Sequence, residues 1–285
     1  MRRRTTKQRP GWRIGSLAAR YVGIAVACGF AVFPLLWALS TAFKPESEVL
    51  SAAAPWLPSH GTLANFRSVI TTTEIPRQIL NSVGVSFVAI MLALAVSIPG
   101  AFVTARYQFR GVRLVMVVIL MTTMIPGIAI LTPLFYISVR LSLYNTYAVM
   151  VIVYAGWQVP MMLWILRGFV KTIPSDLDEA ARVDGCGTRR LVVSIILPLM
   201  RPGIVAASLV AFVNIWNDFL LSSTLIASDR LRTVTVGLFN FMSAYGIEWG
   251  PLMAAVMLSL IPVVILFSWM QKYLVSGLTS GAVKG

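Results

Sequence analysis

Apolar positions along the chain gather into runs of about 20 residues, the length an α-helix needs to cross roughly 30 Å of hydrocarbon at 1.5 Å per residue. Six such runs fall at approximately 21–43, 82–104, 114–137, 147–169, 204–226 and 250–270. They predict an all-α integral membrane fold of six transmembrane helices. The first run follows a basic N-terminus, yet it is longer than the apolar part of a signal peptide and contains Pro34 and Trp37. It therefore reads as an uncleaved span, with Ala52-Ala53-Ala54 only a weak cleavage signal. Five of the runs carry an interior proline: Pro34, Pro99, Pro126 with Pro133, Pro160, and Pro262. Each removes a helix hydrogen bond, so kinks are expected where a neighbour or an internal cavity satisfies the freed carbonyl. Kinked, mobile bundles suit transport, and the lack of a visible internal repeat disfavours carriers built from duplicated halves.

Charge orients these spans, because Lys and Arg are retained on the cytoplasmic side during insertion. With the N-terminus inside, 18 of the 24 cations lie in inner segments. Only Lys44, Arg67, Arg77, Arg140, Arg230 and Arg232 lie outside. Both termini are predicted to be cytoplasmic, giving a basic segment at 1–20, a six-span domain at 21–270 and a tail at 271–285. The 285 residues are 58% hydrophobic and 12% charged, a balance that places them in a bilayer. The net charge of +14 does not imply nucleic acid, since the cations sit between apolar runs and not on a soluble face. Cys28 lies in the first run and Cys186 in a polar loop, which implies neither a disulfide nor a metal site. His60, the sole histidine, lies in a Pro/Ser/Gly-rich loop without a second ligand nearby and reads as solvated.

The polar segment 173–203, between the fourth and fifth runs, is too patterned for a linker. Ser175 followed by Asp178 predicts an N-cap and a short helix from about Asp176, and Gly185 supplies its stop. A second short helix is predicted from Thr188 to Leu197, ended by Pro198. The small Ala180 and Ala181 would let another protein come close, with Glu179 adding charge at the contact. Glu179-Ala180-Ala181, then Gly185, then Ile195 and Leu197-Pro198, resembles in spacing and identity the EAA loop of ABC-importer permeases. That resemblance implies a coupling helix seated in a groove of a cytoplasmic ATPase. Glu179 would be its acidic contact, Ala180 and Ala181 its close-packing face, Gly185 its turn, and Asp184, Ile195, Leu197 and Pro198 further parts of the loop. Cys186 stands where many relatives have alanine.

The fifth run holds Asn214-Ile215-Trp216-Asn217-Asp218, a polar cluster in an apolar setting. Buried amides and carboxylates are costly there unless they face a partner or a wet cavity, so they are candidates for a substrate path. A Trp face stacks on a pyranose while Asn and Asp pair with hydroxyls. The run 212–219, the Phe43-Lys44-Pro45 junction and the tail 276–285 also resemble the maltose-type permease family, on the side of its shorter subunit. Membership implies a multi-pass protein of the bacterial inner membrane that is not itself an enzyme. Its implied partners are a second permease, an ABC ATPase dimer that alone binds ATP and Mg, an extracytoplasmic solute-binding protein or lipoprotein, and a sugar. Segments 44–81 and 227–249 would face the binding protein, and the tail would add a second ATPase contact. The tail lacks phosphate-loop spacing, so no ATP site is expected in this chain. The rival readings are an ion-coupled carrier with Asp218 as its ion site and a membrane enzyme; the latter lacks clustered His, Cys or carboxylates.

Overall fold

A computed structural model describes residues 10–51, 55–243 and 246–282. In chain order it contains α1 (Pro10–Ala42), α2 (Glu46–Val49), α3 (Ala64–Thr72), α4 (Ile75–Arg106), α5 (Val112–Thr122), α6 (Gly127–Arg140) and α7 (Tyr147–Thr172). Next come α8 (Asp176–Val183), α9 (Thr188–Arg190), a π-helical turn (Leu191–Ile196) and α10 (Leu197–Leu199). The chain continues with α11 (Arg201–Trp216), α12 (Leu220–Leu225), α13 (Val234–Leu238), a small hairpin of β1 (Met242–Ser243) and β2 (Gly246–Ile247), and α14 (Trp249–Ala282). The expected cations at 2–9, Lys284 and Ala52–Ala54 lie outside the described residues.

Among the described residues, four helices are single stretches long and apolar enough to cross a bilayer: Ala19–Ala42, Ile75–Arg106, Tyr147–Thr172 and Trp249–Lys272. The third expected span is instead a bent pair, α5 and α6 meeting at 88°, and a second bent pair, Thr188–Leu199 and Arg201–Trp216 at 75°, joins the polar segment to the fifth run, which itself divides between α11 and α12. The expected kink at Pro126 is a full break, because Pro126 takes an extended ψ of 125° immediately before α6 and has no N–H to carry the helix across. α4 begins seven residues before its apolar run, with Arg77, Gln78 and Asn81 extending the helix beyond the hydrocarbon-length stretch. α14 likewise continues to Ala282, so the segment expected as a separate tail from 271 is helical to that point.

α4 and α7 form the centre. They run parallel: Ser97 Oγ donates to the Val159 carbonyl at 3.4 Å, Gly100 sits against Leu163, and Arg167 Nε donates to the Thr104 carbonyl at 3.1 Å. α11 packs on both, and α14 packs on α11 and α1. Small residues allow this closeness, since Ala89, Ala93, Ala101, Ala207, Ala211, Ala254 and Ala255 are all buried. α1 lies at the edge of the bundle against α14, with only 6% of its apolar window buried inside the chain, a surface that suits lipid or another membrane protein. The short segment after α1 folds back on it: Lys44 is 2% exposed, lies 5.2 Å from the Trp37 ring centre, and donates to the Pro55 carbonyl.

At the end of the bundle where α4 begins, side chains of that helix hold the segment between α12 and α13. Gln78 Nε2 donates to the Asp229 carbonyl at 2.9 Å, and Asn81 Nδ2 donates to the Arg230 carbonyl at 2.8 Å. Ser82 Oγ accepts from Val234 N at 2.8 Å, so carbonyls and amides of an irregular stretch are satisfied without a sheet. His60 lies exposed near this end, as its loop composition implied.

Candidate functional site

α8 starts at Asp176, as expected, but Ser175 does not cap it with its hydroxyl. A side-chain cap needs extended backbone, and Ser175 is already helical at φ −66° and ψ −25°. Its carbonyl instead accepts from Asp178 N and Glu179 N at 2.8 and 3.2 Å. Gly185 ends the helix at φ +76°, a left-handed conformation that glycine adopts without a Cβ clash. Gly185 N donates to the Arg182 carbonyl at 3.0 Å and Cys186 N to the Ala181 carbonyl at 2.9 Å, the paired bonds of a Schellman stop.

The two faces of α8 differ. Asp178 and Ala181 turn inward, at 6% and 7% exposure, so Ala181 packs on its own chain. Glu179, Ala180 and Asp184 are exposed, and Leu177 and Val183 join them at 43% and 88% exposure. The inward face is clamped to the last turn of α4. Arg106 Nε lies 2.8 Å from Asp178 Oδ2, off line for a hydrogen bond, while Nη2 donates to Oδ1 at 3.4 Å. Arg182 Nη2 adds a bond to the Tyr107 hydroxyl at 3.3 Å.

Beyond Gly185 the second arm is helical from Thr188 to Leu199 and passes through the π-helical turn. Leu191, Ile196 and Met200 are fully buried and anchor it, Ile195 and Leu197 are half-buried, and Pro198 is exposed. Pro198 does not end this arm. Met200 N still reaches the Ile196 carbonyl at 2.9 Å, and the bend comes at Met200, just before Arg201-Pro202. α11 then leans on α7 at Gly203, where an added Cβ would lie 2.4 Å from Phe169 Cγ.

The fifth span does not reach residue 226 as one helix. α11 stops at Trp216, and Asp218 starts the separate α12: its Oδ2 accepts from Leu221 N at 3.1 Å, Ser222 N at 3.2 Å and the Tyr154 hydroxyl at 2.8 Å. A carboxylate that satisfies free amides at a helix start competes with continuation of the previous helix. Trp216 is packed away at 8% exposure with its ring centre 5.2 Å from that of Phe212, and Asn217 Nδ2 bonds back to the Val213 carbonyl at 3.0 Å.

Of the expected path residues, the structure brings Asn214 and Asp218 to one cavity and leaves Trp216 and Asn217 out of it. A pocket of about 90 Å³ is lined by Tyr154, Trp157, Gln158, Asn214 and Asp218 among others. A neighbouring cleft of about 550 Å³ shares Trp157, Gln158 and Asn214 and opens beside Thr122 and Thr123 at the α5–α6 break. Asn214 Nδ2 donates to Gln158 Oε1 at 3.3 Å across the two helices. Tyr154, Trp157 and Gln158 went unnoticed in the sequence. The available signal was Gln158 itself, an amide in the middle of the fourth apolar run, beside an indole.

Residues 97–280 match the family described as binding-protein-dependent transport system inner membrane component. The chain is 34% identical over 265 residues to the trehalose/maltose transport system permease protein MalG of Thermococcus litoralis, covering 92% of this chain and 94% of that one. It is 33% identical over 254 residues to the diacetylchitobiose uptake system permease protein DasC of Streptomyces coelicolor, covering 89% and 92%. A crystal structure of a bacterial ABC transporter involved in the import of the acidic polysaccharide alginate contains a chain of the same fold, with a TM-score of 0.79 at 20% identity over 94% of this chain and 99% of that one. With the family matched over residues 97–280 and relatives above 30% identity along most of both chains, the chain belongs to the family of inner-membrane permease components of binding-protein-dependent ABC transporters.

Proposed function

We propose that this chain forms half of the translocation path of an ATP-driven sugar importer and couples to its ATPase through α8. The observation that carries this reading is the division of α8. Its inner face is fixed to the end of α4 by Asp178 and Arg106, while Glu179, Ala180, Val183 and Leu177 are left open. A short helix fixed on one side and presenting an acid between small and apolar residues on the other suits docking in a groove of a second protein. The face bearing α8 is cytoplasmic, in keeping with the distribution of Lys and Arg.

In this reading nucleotide-driven closure of an ATPase pair moves α8, and the ion pair passes the motion to α4 while the second arm passes it to α11. The spans then alternate access to the cleft at Trp157 and Asn214, the other wall belonging to a second permease. The cargo arrives from an extracytoplasmic binding protein docked on segments 44–81 and 227–249. A sugar is favoured by an indole beside two carboxamides and by the cargoes for which the relatives are named. ATP and Mg belong to the ATPase partner, and the C-terminal segment adds a second contact to it.

The test is the double substitution Glu179→Ala with Gly185→Asp, assayed in membranes holding the complete transporter. ATPase subunits should no longer co-purify in stoichiometric amount, and uptake of sugar should fall to background. Wild-type uptake with the ATPase fully retained would refute the coupling role.

A further inference from the structure

The pocket and cleft beside the fifth-span break have a definite chemistry. Trp157 is 37% exposed and borders both spaces, so an indole face is open to an occupant. Gln158 is 3% exposed, and its Oε1 is engaged by Asn214, leaving its amide hydrogens and the Asn214 carbonyl oxygen without partners among the described residues. Asp218 is held by three donors on Oδ2, while its Oδ1 accepts nothing from the described residues. Thr122 and Thr123 bring hydroxyls at the rim. Among the described residues, Asp218 is the only charged side chain lining either space, and no cation lines them.

We propose that this wall is a saccharide subsite selective for uncharged sugars, with Trp157 stacking on a pyranose face and Gln158, Asn214 and Asp218 Oδ1 taking its hydroxyls. The inference rests on the sugar-import reading above and narrows its cargo. Aromatic stacking with amide and carboxylate acceptors matches the alternating apolar face and hydroxyl rim of a pyranose. The cleft, about 550 Å³, falls within the roughly 300–1,000 Å³ of ordinary small-ligand sites. An anionic sugar meets the opposite situation: at roughly 8 Å from Asp218 and an effective dielectric near 20, repulsion weakens its binding about 30-fold with no cation to offset it.

The experiment uses the complete transporter in proteoliposomes, with every other cysteine removed and Gly156→Cys, on the cleft wall with nothing within 4 Å of its Cβ, as a reporter labelled by a polar thiol reagent. Maltose, trehalose and diacetylchitobiose serve as neutral probes, glucuronate and glucose 6-phosphate as anionic ones. At least one neutral sugar should protect the cysteine from labelling and neither anion should. Adding Trp157→Ala should raise the protecting concentration roughly 3- to 10-fold, and Trp157→Phe should restore most of it. Vesicles that import a neutral sugar without any protection of the cysteine, or with equal protection by the anions, would overturn the subsite and leave sugar import standing. If ATP-loaded vesicles import none of the sugars, the import reading falls and this inference falls with it.

Discussion

Removing the Arg106 side chain should destabilise the protein far more than the intact ion pair stabilises it. The charges approach to 2.8 Å with side-chain exposures of 11% and 9%. At an effective dielectric near 20 their attraction is about 6 kcal/mol, but withdrawing two ions from water costs several kcal/mol each, so the intact pair is near neutral in net terms. Arg106→Met or Asp178→Leu alone strands one buried charge, at a cost of about 3–5 kcal/mol. The double replacement removes both charges at similar volume and should return to within about 1 kcal/mol of the parent. Unfolding of the purified protein in detergent, followed by tryptophan fluorescence, gives the four corners of this double-mutant cycle. Uptake should stay impaired in the double variant even as stability recovers, because α8 would no longer be tied to α4. Single costs below about 1 kcal/mol that simply add in the double variant would refute the reasoning.

Gly185→Ala should cost about 1–2 kcal/mol although nothing lies within 4 Å of its Cβ, because the penalty comes from φ +76° alone; faster hydrogen exchange of the α8 amides, with partial recovery in Gly185→Asn, would show it. Gly237→Ala places a Cβ 1.6 Å from the buried Gln78 Oε1 and must dislodge the bond from Gln78 to Asp229. A loss of about 2–4 kcal/mol and faster tryptic cleavage at Arg230 and Arg232 are expected, and unchanged cleavage would contradict the packing described. Asp218→Ala strips the cap from α12 and leaves the Tyr154 hydroxyl buried without its acceptor, a loss of about 2–3 kcal/mol in thermal unfolding; Asp218→Asn should retain most of the stability.

Four crossings were legible in the apolar runs as single helices, and the two helical arms around Gly185 in the spacing of the polar segment, because both depend on composition at fixed intervals. The breaks were not. Hydropathy counts side chains, whereas the stops at Thr123–Pro126 and at Asn217–Phe219 are decided by which backbone amides find partners, and Asp218 supplies these from within an apolar stretch. The same limit hid the roles of Trp216 and Trp157. Both are tryptophans in apolar runs, and only the packing of Phe212 against one and the opening of the α5–α6 elbow beside the other separate them. Ala181 shows a further case: the motif marks it and Ala180 alike, yet consecutive helical positions point about 100° apart, so one faces the bundle and the other faces out.

α4, at 32 residues, is about 48 Å long, and it is pinned at both extremities. Gln78, Asn81 and Ser82 grip the segment at 229–234, and Arg106 grips α8. A helix resists bending, so it works as a strut whose only built-in hinge is Pro99. Whatever pulls on one extremity therefore loads the other directly, and under the coupling proposed above delivery and fuel consumption would be felt through a single rigid member.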